Sequence, residues 1–514
     1  MVDLAPVNTE TPTPPPSTVH AAATIARNAA AIAFATLFAR GFQFFWAILL
    51  AGFLGSAEYG TWGAISALLV TASALPEFGM GLIVLREVSR ERHTAGRYLS
   101  ATLVTQPLLA LVAHLALISF AFIMPYDQDF RGLLALAGLS LLVDSLGNMG
   151  YNQLLAIERM VTTSVVLITH IGLQILLALT ALALGGGLTG VYLATIAAGT
   201  VRAILHWRAM RRHGITPHFP IDVRLVRRLF REGFPIGLSS FLAYAYQQLD
   251  RVLVFTVLGE TAAGYLTAAF VIVLGITELL SVTVFTALFP LMSRMAKDSP
   301  ATLRHTVDTL AILTLAISLP LIIGIAALAQ PLATILYPRL GGAAAVLETL
   351  IWHTSLAMVA SPYSQMLLVE GRQTQLLVIR VVGLAVNFIV NVVLLPNVGV
   401  AGAGIAALLS QAAMLGLFIA VRQMVASEWR EFSTQMLKIG FAGLIMLSLI
   451  YPLRQTNAVL AGVVAAIVYL GVIIRIKALH PSQWSLMQNV AAQLPIVGKW
   501  FNRLAESQSQ VQSR

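Results

Sequence analysis

The chain has 514 residues, of which 58% are hydrophobic and only 11% are charged, and its mean hydropathy is +0.83. Soluble globular proteins carry about a quarter charged residues, so this composition excludes a soluble protein and indicates one embedded in a bilayer. The absence of cysteine excludes disulfides, thiolate metal sites and cysteine nucleophiles. The net charge of +10 could indicate nucleic-acid binding, but its distribution along the chain predicts contact with a membrane surface instead.

Fourteen apolar runs follow one another, and most are long enough to cross a bilayer. They cover residues 28–53, 60–85, 98–124, 131–156, 161–184, 189–208, 234–257, 262–288, 305–328, 345–369, 374–395, 400–421, 435–452 and 457–476. The run 345–369 is the weakest, because Glu348, His353 and Pro362 interrupt it. Membrane β-strands are about ten residues long and alternate in polarity, which these runs do not. The sequence therefore predicts an all-α polytopic membrane protein with about 14 transmembrane helices.

Positive charge is distributed unequally between the two sets of loops. With the N-terminus in the cytoplasm, the tails and cytoplasmic loops hold 25 of the 32 Lys and Arg residues, and the external loops hold only Arg131, Arg339 and Arg454. Cytoplasmic loops of membrane proteins are enriched in Lys and Arg. The pattern predicts a multi-pass protein of the cytoplasmic (inner) membrane with both termini in the cytoplasm, and no nucleic-acid partner.

A weak internal repeat divides the chain. Leu54–Gly60 resembles Leu258–Gly264 at an offset of 204 residues, and several single residues match at the same offset. Six spans separate the copies, so both have the same orientation, as in a parallel repeat. We therefore predict two six-helix lobes plus two extra C-terminal helices. The predicted regions are a disordered cytoplasmic tail (1–24), an N-lobe (25–208), a basic cytoplasmic linker (209–233), a C-lobe (234–422), helices 13 and 14 (423–478) and an amphipathic cytoplasmic tail (479–514).

Several charged and amide side chains lie inside the apolar runs, where they are costly and usually face a cavity or a partner. The first run contains Arg40 and Gln43. The seventh run, its equivalent in the repeat, contains Gln247, Gln248, Asp250 and Arg251. These two polar helices are expected to face each other across the lobes. The alternative is that Asp250 and Arg251 neutralise their neighbours and only hold the bundle together.

Two further polar stripes occur at helical spacing. Asp144 continues through Asn148 and Asn152 on the fourth run, and Arg380 continues through Asn387 and Asn391 on the eleventh. A carboxylate removed from water binds a proton more readily, and carboxylate oxygens can also hold Na+. Asp144, Glu77 and Asp250 are therefore candidates for ion coupling, although a hydrogen-bonded structural role is the alternative for each.

Several classes of chemistry are missing from the sequence. It contains no G-x-x-x-x-G-K-[ST] phosphate loop and no H-E-x-x-H or other close histidine–carboxylate cluster. The external loops are too short to form a catalytic domain. We therefore predict that the protein is not an enzyme and has no cofactor, apart from Na+ or H+ as a coupling ion.

Three stretches resemble the oligosaccharide/polysaccharide flippase family, over roughly residues 25–425. They are Gly52–Gly60 followed by Glu77–Gly81 and Arg86-Glu87, then Gln248–Arg251 with Gly264-Tyr265, and finally Asn387–Gly404. Their order and spacing are more specific than any single stretch. The sequence departs from the family at Glu77, where the family often has aspartate, but the carboxylate is retained. The family belongs to the superfamily that includes multidrug exporters and the lipid II flippase.

The resemblance implies a transporter with two six-helix lobes and alternating access, which moves a lipid-linked oligosaccharide or polysaccharide precursor from the inner to the outer leaflet. Guanidinium groups can bind phosphates bidentately, so we expect Arg40, Arg251 and Arg380 to bind the phosphates of such a substrate. The glycan is expected to contact Gln43, Gln247, Gln248, Asn387 and Asn391. The expected partners are the lipid-linked glycan, membrane lipids and other polysaccharide-assembly proteins.

Two other functions remain open from the sequence. A multidrug or cation antiporter of the same superfamily would favour an acidic, aromatic cavity, and the intramembrane residues Arg40 and Arg251 argue against it. A membrane-embedded glycan polymerase or ligase would need an external catalytic loop, which the sequence lacks.

Overall fold

A computed structural model describes residues 18–480 together with 483 and 484, and side chains from residue 31 onward except those of 278–291, 454–456 and 458–459. All regular secondary structure in this part of the chain is helical, which confirms the predicted all-α membrane fold. The first half contains α1 (Thr18–Phe53), α2 (Ser56–Ala72), α3 (Ala74–Glu77), α4 (Met80–Arg90), α5 (Ala95–Ile123), α6 (Gln128–Ala156), α7 (Met160–Ala183) and α8 (Gly187–Arg212). The second half contains α9 (Val223–Leu258), α10 (Glu260–Asp298), α11 (Pro300–Ala327), α12 (Ala329–Leu336), α13 (Ala343–Leu350), α14 (Trp352–Val369), α15 (Gln373–Val398), α16 (Ala401–Arg422) and α17 (Ala426–Arg475).

Eleven of the described helical segments are long and apolar enough to cross a bilayer, and the bent pair Ser56–Glu77 and Met80–Arg90 would make a twelfth. Two predicted spans are not among them. The helix α9 has 36 residues, about 54 Å of helix, but its sequence is too polar. The segment Leu460–Arg475 is apolar but short. The count of fourteen spans therefore stays a prediction that depends on these two segments.

The region boundaries differ from the predicted ones where helices extend beyond the apolar runs. The helix α1 begins at Thr18, so residues 18–24 are helical, and residues 1–17 lie outside the described part of the chain. Of the predicted linker 209–233, only residues 213–222 are non-helical. The Asp222 carboxylate caps α9 by accepting a hydrogen bond from the Leu225 backbone N–H, which explains why this helix starts well before its apolar part.

The C-terminal helices form one long element with an interruption. The helix α17 packs against α11 of the C-lobe, and its backbone leaves the helical region at Asn457 (φ −151°, ψ 103°). This break falls at the predicted boundary between helices 13 and 14. Most of the predicted amphipathic tail, residues 485–514, lies outside the described residues.

The loops between α1 and α10 define two ends of the bundle. We call the end with residues 91–94, 157–159 and 213–222 the basic face. The other end, with residues 54–55, 124–127 and 259, is called the opposite face. The break in the second span lies between them: Phe78 and Gly79 both have a left-handed backbone (φ 43° and 71°), and the helix axis turns by 41° there.

The repeat is visible where the two lobes meet at the opposite face. A Cβ atom on Gly60 of α2 would overlap the Glu260 backbone oxygen, and one on Gly264 of α10 would overlap the Ser56 backbone oxygen. Gly60 and Gly264 are equivalent at the offset of 204 residues, and so are Ser56 and Glu260. Surfaces related by a two-fold axis make such reciprocal contacts where they meet. The axis that relates the lobes therefore passes between α2 and α10.

Candidate functional site

Aromatic side chains join the two lobes at the opposite face. The Tyr126 hydroxyl of the N-lobe lies 2.7 Å from Thr256 Oγ1 of the C-lobe. The rings of Phe130 and Phe255 pack beside it with centroids 4.6 Å apart. Together with the contact of α2 and α10, these residues form the opposite-face contact between the lobes.

Backbone atoms pack closely between the lobes nearer the basic face. The break at Phe78 and Gly79 lies against Gly233 and Gly237 of α9. A Cβ on Gly237 would lie 3.0 Å from Phe78 Cα, and one on Gly79 would lie 2.6 Å from Ile236 Cβ. Two glycines four residues apart lie on one helix face and allow this approach. The bent second span is therefore held against α9.

Four charged side chains link the lobes at the basic face, and we call them the latch. Glu232 of α9 pairs with Arg228 at 2.6 Å and with Arg86 of α4 at 3.0 Å, and Arg86 also pairs with Glu87 at 2.9 Å. The hydrogen bond from Arg228 lowers the pKa of Glu232 below its usual range, so the carboxylate is ionised at neutral pH. Since these side chains are partly exposed, each pair contributes only about 0.2–1 kcal/mol.

A fully buried polar cluster lies inside the C-lobe. The Asn391 amide donates hydrogen bonds to Asp250 Oδ1 at 2.7 Å and to Asn387 Oδ1 at 3.0 Å. Asp250, Asn387 and Asn391 are all buried. The Asn391 Oδ1 atom is also buried and has no hydrogen-bond partner among the described residues. The cluster thus offers an unused amide oxygen next to a carboxylate.

The three predicted phosphate ligands have different surroundings. Arg251 is buried, with its guanidinium 5.2 Å from the centroid of the Phe270 ring. Arg380 is half-buried and donates to Ser239 Oγ at 3.3 Å. Arg40 is exposed on α1, which packs on α7 and α10.

Arg40 and Arg251 occupy different positions along the two equivalent helices α1 and α9. At the repeat offset Arg40 corresponds to Tyr244, which precedes Arg251 by seven residues. Seven residues are about 10 Å along a helix. The two arginines therefore lie at successive depths between the faces, with Arg251 closer to the opposite face.

The predicted glycan ligands separate into two groups. Gln43 on α1 and Gln247 on α9, which are equivalent in the repeat, are both exposed. Gln248 is buried, like Asn387 and Asn391, and its Oε1 atom has no hydrogen-bond partner among the described residues. Only Gln43 and Gln247 are therefore accessible to a ligand in this conformation.

Asp144 forms an ion pair that the sequence analysis did not predict. Its Oδ1 atom lies 2.8 Å from Arg202 Nη2 of α8, and the side chains are 41% and 15% exposed. His206 lies one turn further along α8, with its Nδ1 atom 2.9 Å from the Gly147 oxygen. Gly147 has room for Arg202 only because it lacks a side chain: a Cβ there would lie 2.7 Å from Arg202 Nε. Asp144 thus has a permanently charged partner.

Glu77 lies at the break in the second span and is exposed. A Cβ on Gly81 would lie 2.8 Å from Glu77 Oε1 and 2.6 Å from Asn152 Nδ2. The structure therefore brings the Glu77 carboxylate close to the end of the Asp144–Asn152 stripe that is nearer the basic face. The three candidate coupling carboxylates occupy three separate sites.

Comparison with known proteins identifies the family. The family model described as "Polysaccharide biosynthesis protein" matches residues 25–296, more than half of the chain. The chain belongs to this family. The match confirms the resemblance predicted from the motifs, including those at residues 52–60 and 248–251. No curated protein sequence matches the chain.

Several solved transporter structures share the fold of this chain. It is similar to the lipid II flippase MurJ in an inward closed conformation (TM-score 0.67, 15% identity, covering 86% of this chain and 98% of that one). It is also similar to an inward-facing multidrug resistance MATE family transporter (TM-score 0.60, 15% identity, 76% and 95% covered). A third similar structure is a MOP superfamily transporter from Pyrococcus furiosus (TM-score 0.52, 15% identity, 78% and 94% covered).

The sequence did not reveal which side chains form ion pairs between different helices. Arg86 and Glu87 were part of the family resemblance, but the i, i+4 spacing of Arg228 and Glu232 is common on exposed helices and does not indicate a contact with another helix. Arg202 was visible as a charge in an apolar run, which was a usable signal. Nothing in the local sequence paired it with Asp144, 58 residues away.

Proposed function

We propose that this protein is a flippase that moves a lipid-linked oligosaccharide or polysaccharide precursor from the inner to the outer leaflet by alternating access. It would work in the inner membrane, with both termini in the cytoplasm and the basic face inside. The observation that carries the proposal is the polar helix α9 of the C-lobe, which lies at the interface where the two lobes contact each other near both faces.

Contacts at both ends of α9 support alternating access. At the opposite face the lobes meet through small residues and aromatic rings, and towards the basic face they meet through the latch and the packing of the bent second span on α9. Opening one end requires separating only one of these sets. The latch is composed of weak, partly exposed pairs, so its release costs little compared with the energy of a bound substrate.

The arginines supply the chemistry for the substrate phosphates. Arg40 and Arg251 lie at successive depths, so a diphosphate passing from the basic face would meet Arg40 first and Arg251 later. Gln43 and Gln247 are exposed on the same two helices and would hydrogen-bond the glycan. Arg251 is covered in this conformation, so it would bind phosphate only after the opposite-face contact opens.

The coupling ion is proposed to bind at Asp250. A carboxylate and the unused Oδ1 atom of Asn391 are oxygen donors of the kind that hold Na+ or exchange a proton. This assigns Asn387 and Asn391 to the ion rather than to the glycan. Asp144 is a weaker candidate, because Arg202 already compensates its charge.

A flipping assay in vesicles tests the function directly. Purified protein reconstituted with polyprenyl diphosphate-linked glycans should move them across the bilayer, and Arg40→Ala should abolish this movement. Arg40→Lys keeps the charge but loses the planar fork, so it should retain only part of the rate, with a loss of roughly tenfold. Undiminished flipping by Arg40→Ala at normal protein levels would contradict the phosphate assignment, and no flipping by the wild type would contradict the function.

Cysteine labelling tests the orientation, since the chain has no native cysteine. Leu184→Cys, at a side chain that is 82% exposed, and Gly341→Cys, where a Cβ meets no atom within 4 Å, should react with an impermeant thiol reagent added outside cells. Arg212→Cys should react only after the membrane is permeabilised. Labelling of residue 212 in intact cells would contradict the proposed topology and indicate the inverted one.

A further inference from the structure

A cavity of about 280 Å³ opens at the basic face of the N-lobe, away from the residues proposed to contact the transported substrate. Three separate segments meet there: the 3-10 turn before α5, the turn between α6 and α7, and the start of the linker. Five of its ten lining residues are basic and none of the described ones is acidic. The basic residues are Arg92, His93, Arg159, His213 and His218.

The walls of this cavity are fixed by hydrogen bonds between the short Ser100 side chain and the backbone of His218. Ser100 of α5 is buried, its hydroxyl donates to the His218 oxygen at 2.7 Å, and it accepts from the His218 N–H at 2.6 Å. A Cβ on Gly96 would overlap the His218 ring. The linker is therefore clamped onto the start of α5, and the cavity exists before any ligand binds.

Positive charge in the cavity is only partly compensated. Arg92 pairs with Glu158 at 2.8 Å, and His93 lies 3.7 Å from Glu91. Among the described residues, no carboxylate lies within ion-pair distance of Arg159. Burial, and secondly the charge of Arg159, lower the pKa of His213 below its ordinary value. The cavity also includes Ala95 and Gly96, the first residues of the 29-residue helix α5, where the helix dipole adds a partial positive charge.

We infer that this cavity binds a phosphate or diphosphate group at the basic face. A pre-formed cavity with two guanidinium groups, three imidazoles and no acid suits a compact anion that accepts several hydrogen bonds. A lipid headgroup and a soluble phosphate both carry this chemistry. The inference does not depend on whether the protein flips glycans, because binding at this cavity is measured without transport.

The first test measures the binding of inorganic pyrophosphate to the full chain in neutral detergent by calorimetry. Arg159→Gln should weaken binding by about tenfold, because one charge-assisted contact is lost. The matched control is Arg212→Gln, another exposed arginine of the basic face that does not line the cavity, and it should leave the affinity unchanged. Arg159 is exposed, so its replacement should not affect folding.

The second test uses nanodiscs that contain phosphatidic acid or only phosphatidylcholine and counts retained lipids by native mass spectrometry. Retention of phosphatidic acid by the wild type but not by Arg159→Gln would support the inference and identify a lipid headgroup as the source. Pyrophosphate binding that Arg159→Gln weakens, without such lipid retention, would support it and identify a soluble phosphate. The inference would be overturned if the wild type bound neither pyrophosphate nor phosphatidic acid. It would also be overturned if Arg159→Gln and Arg212→Gln weakened binding equally.

Discussion

Replacement of Gly60 by alanine is expected to reduce transport by about tenfold or more. The new methyl group would overlap a backbone oxygen of α10, which cannot rotate away as a side chain could. Overpacking of this kind costs about 1–3 kcal/mol, and 1.4 kcal/mol shifts an equilibrium tenfold. Alanine also raises the helix propensity of α2, but this gain is the same in every conformation. The net effect is that the lobes no longer close at the opposite face.

The matched control for Gly60→Ala is Gly52→Ala. Gly52 is also a helical glycine near the opposite face, and a Cβ there meets no atom within 4 Å. Its replacement should leave transport unchanged. Spin labels on cysteines that replace Asp129 and Val257, one on each lobe, report the closure. Gly60→Ala should increase the distance between the two labels. If Gly60→Ala transports at the wild-type rate and its distances match those of Gly52→Ala, closure of the lobes does not involve this contact.

The second large effect is expected at the coupling site, where Asp250→Asn should remove the dependence of transport on an ion gradient. Asp250 accepts a hydrogen bond from the neutral amide of Asn391, which also donates to Asn387, so asparagine keeps the shape of the cluster and removes the charge. Arg251 follows Asp250 in the chain and loses a compensating charge, so a modest fall in stability is also expected. Transport down a substrate gradient, measured with and without an imposed proton or sodium gradient, checks the prediction.

Asp144→Asn is expected to behave differently, as a loss of stability. It leaves Arg202, only 15% exposed, without its ion-pair partner. The expected cost is roughly 1–3 kcal/mol, between the values for exposed and fully buried pairs, and thermal unfolding measures it. The double variant Asp144→Asn/Arg202→Gln should recover part of this loss. The opposite result would be an Asp144→Asn protein that is as stable as the wild type but loses gradient dependence, while Asp250→Asn keeps it. In that case Asp144 would be the coupling residue and Asp250 the structural one.

Much of the fold could be predicted because each membrane helix must satisfy its own backbone hydrogen bonds. A long apolar run in a bilayer can be little other than a helix, so the runs near residues 98–124 and 305–328 match α5 and α11 closely. The ends of the helices were harder to predict, because amphipathic segments such as the start of α9 are helical outside the apolar run. The left-handed backbone at Phe78 was not predictable, since a phenylalanine has no local preference for it.

The candidate site was predictable as a set of residue types and not as a set of contacts. The polarity of Asp250, Asn387 and Asn391 was visible in the sequence, but Asp250 lies 141 residues from Asn391, and only the packing of α9 on α15 brings them together. The different positions of Arg40 and Arg251 along their helices follow from the repeat offset, because Arg40 corresponds to Tyr244.

The reciprocal contact of α2 and α10 constrains how the two halves of the gene can diverge. After a duplication, most residues of each copy change independently, because their neighbours lie within one lobe. Gly60 and Gly264 instead face each other's backbone across the axis, so a larger residue in either copy is blocked by the other copy. Selection therefore acts on both sites together. The segments 54–60 and 258–264, where the two halves resemble each other most clearly, are thus the segments in which each half limits the size of the other's side chains.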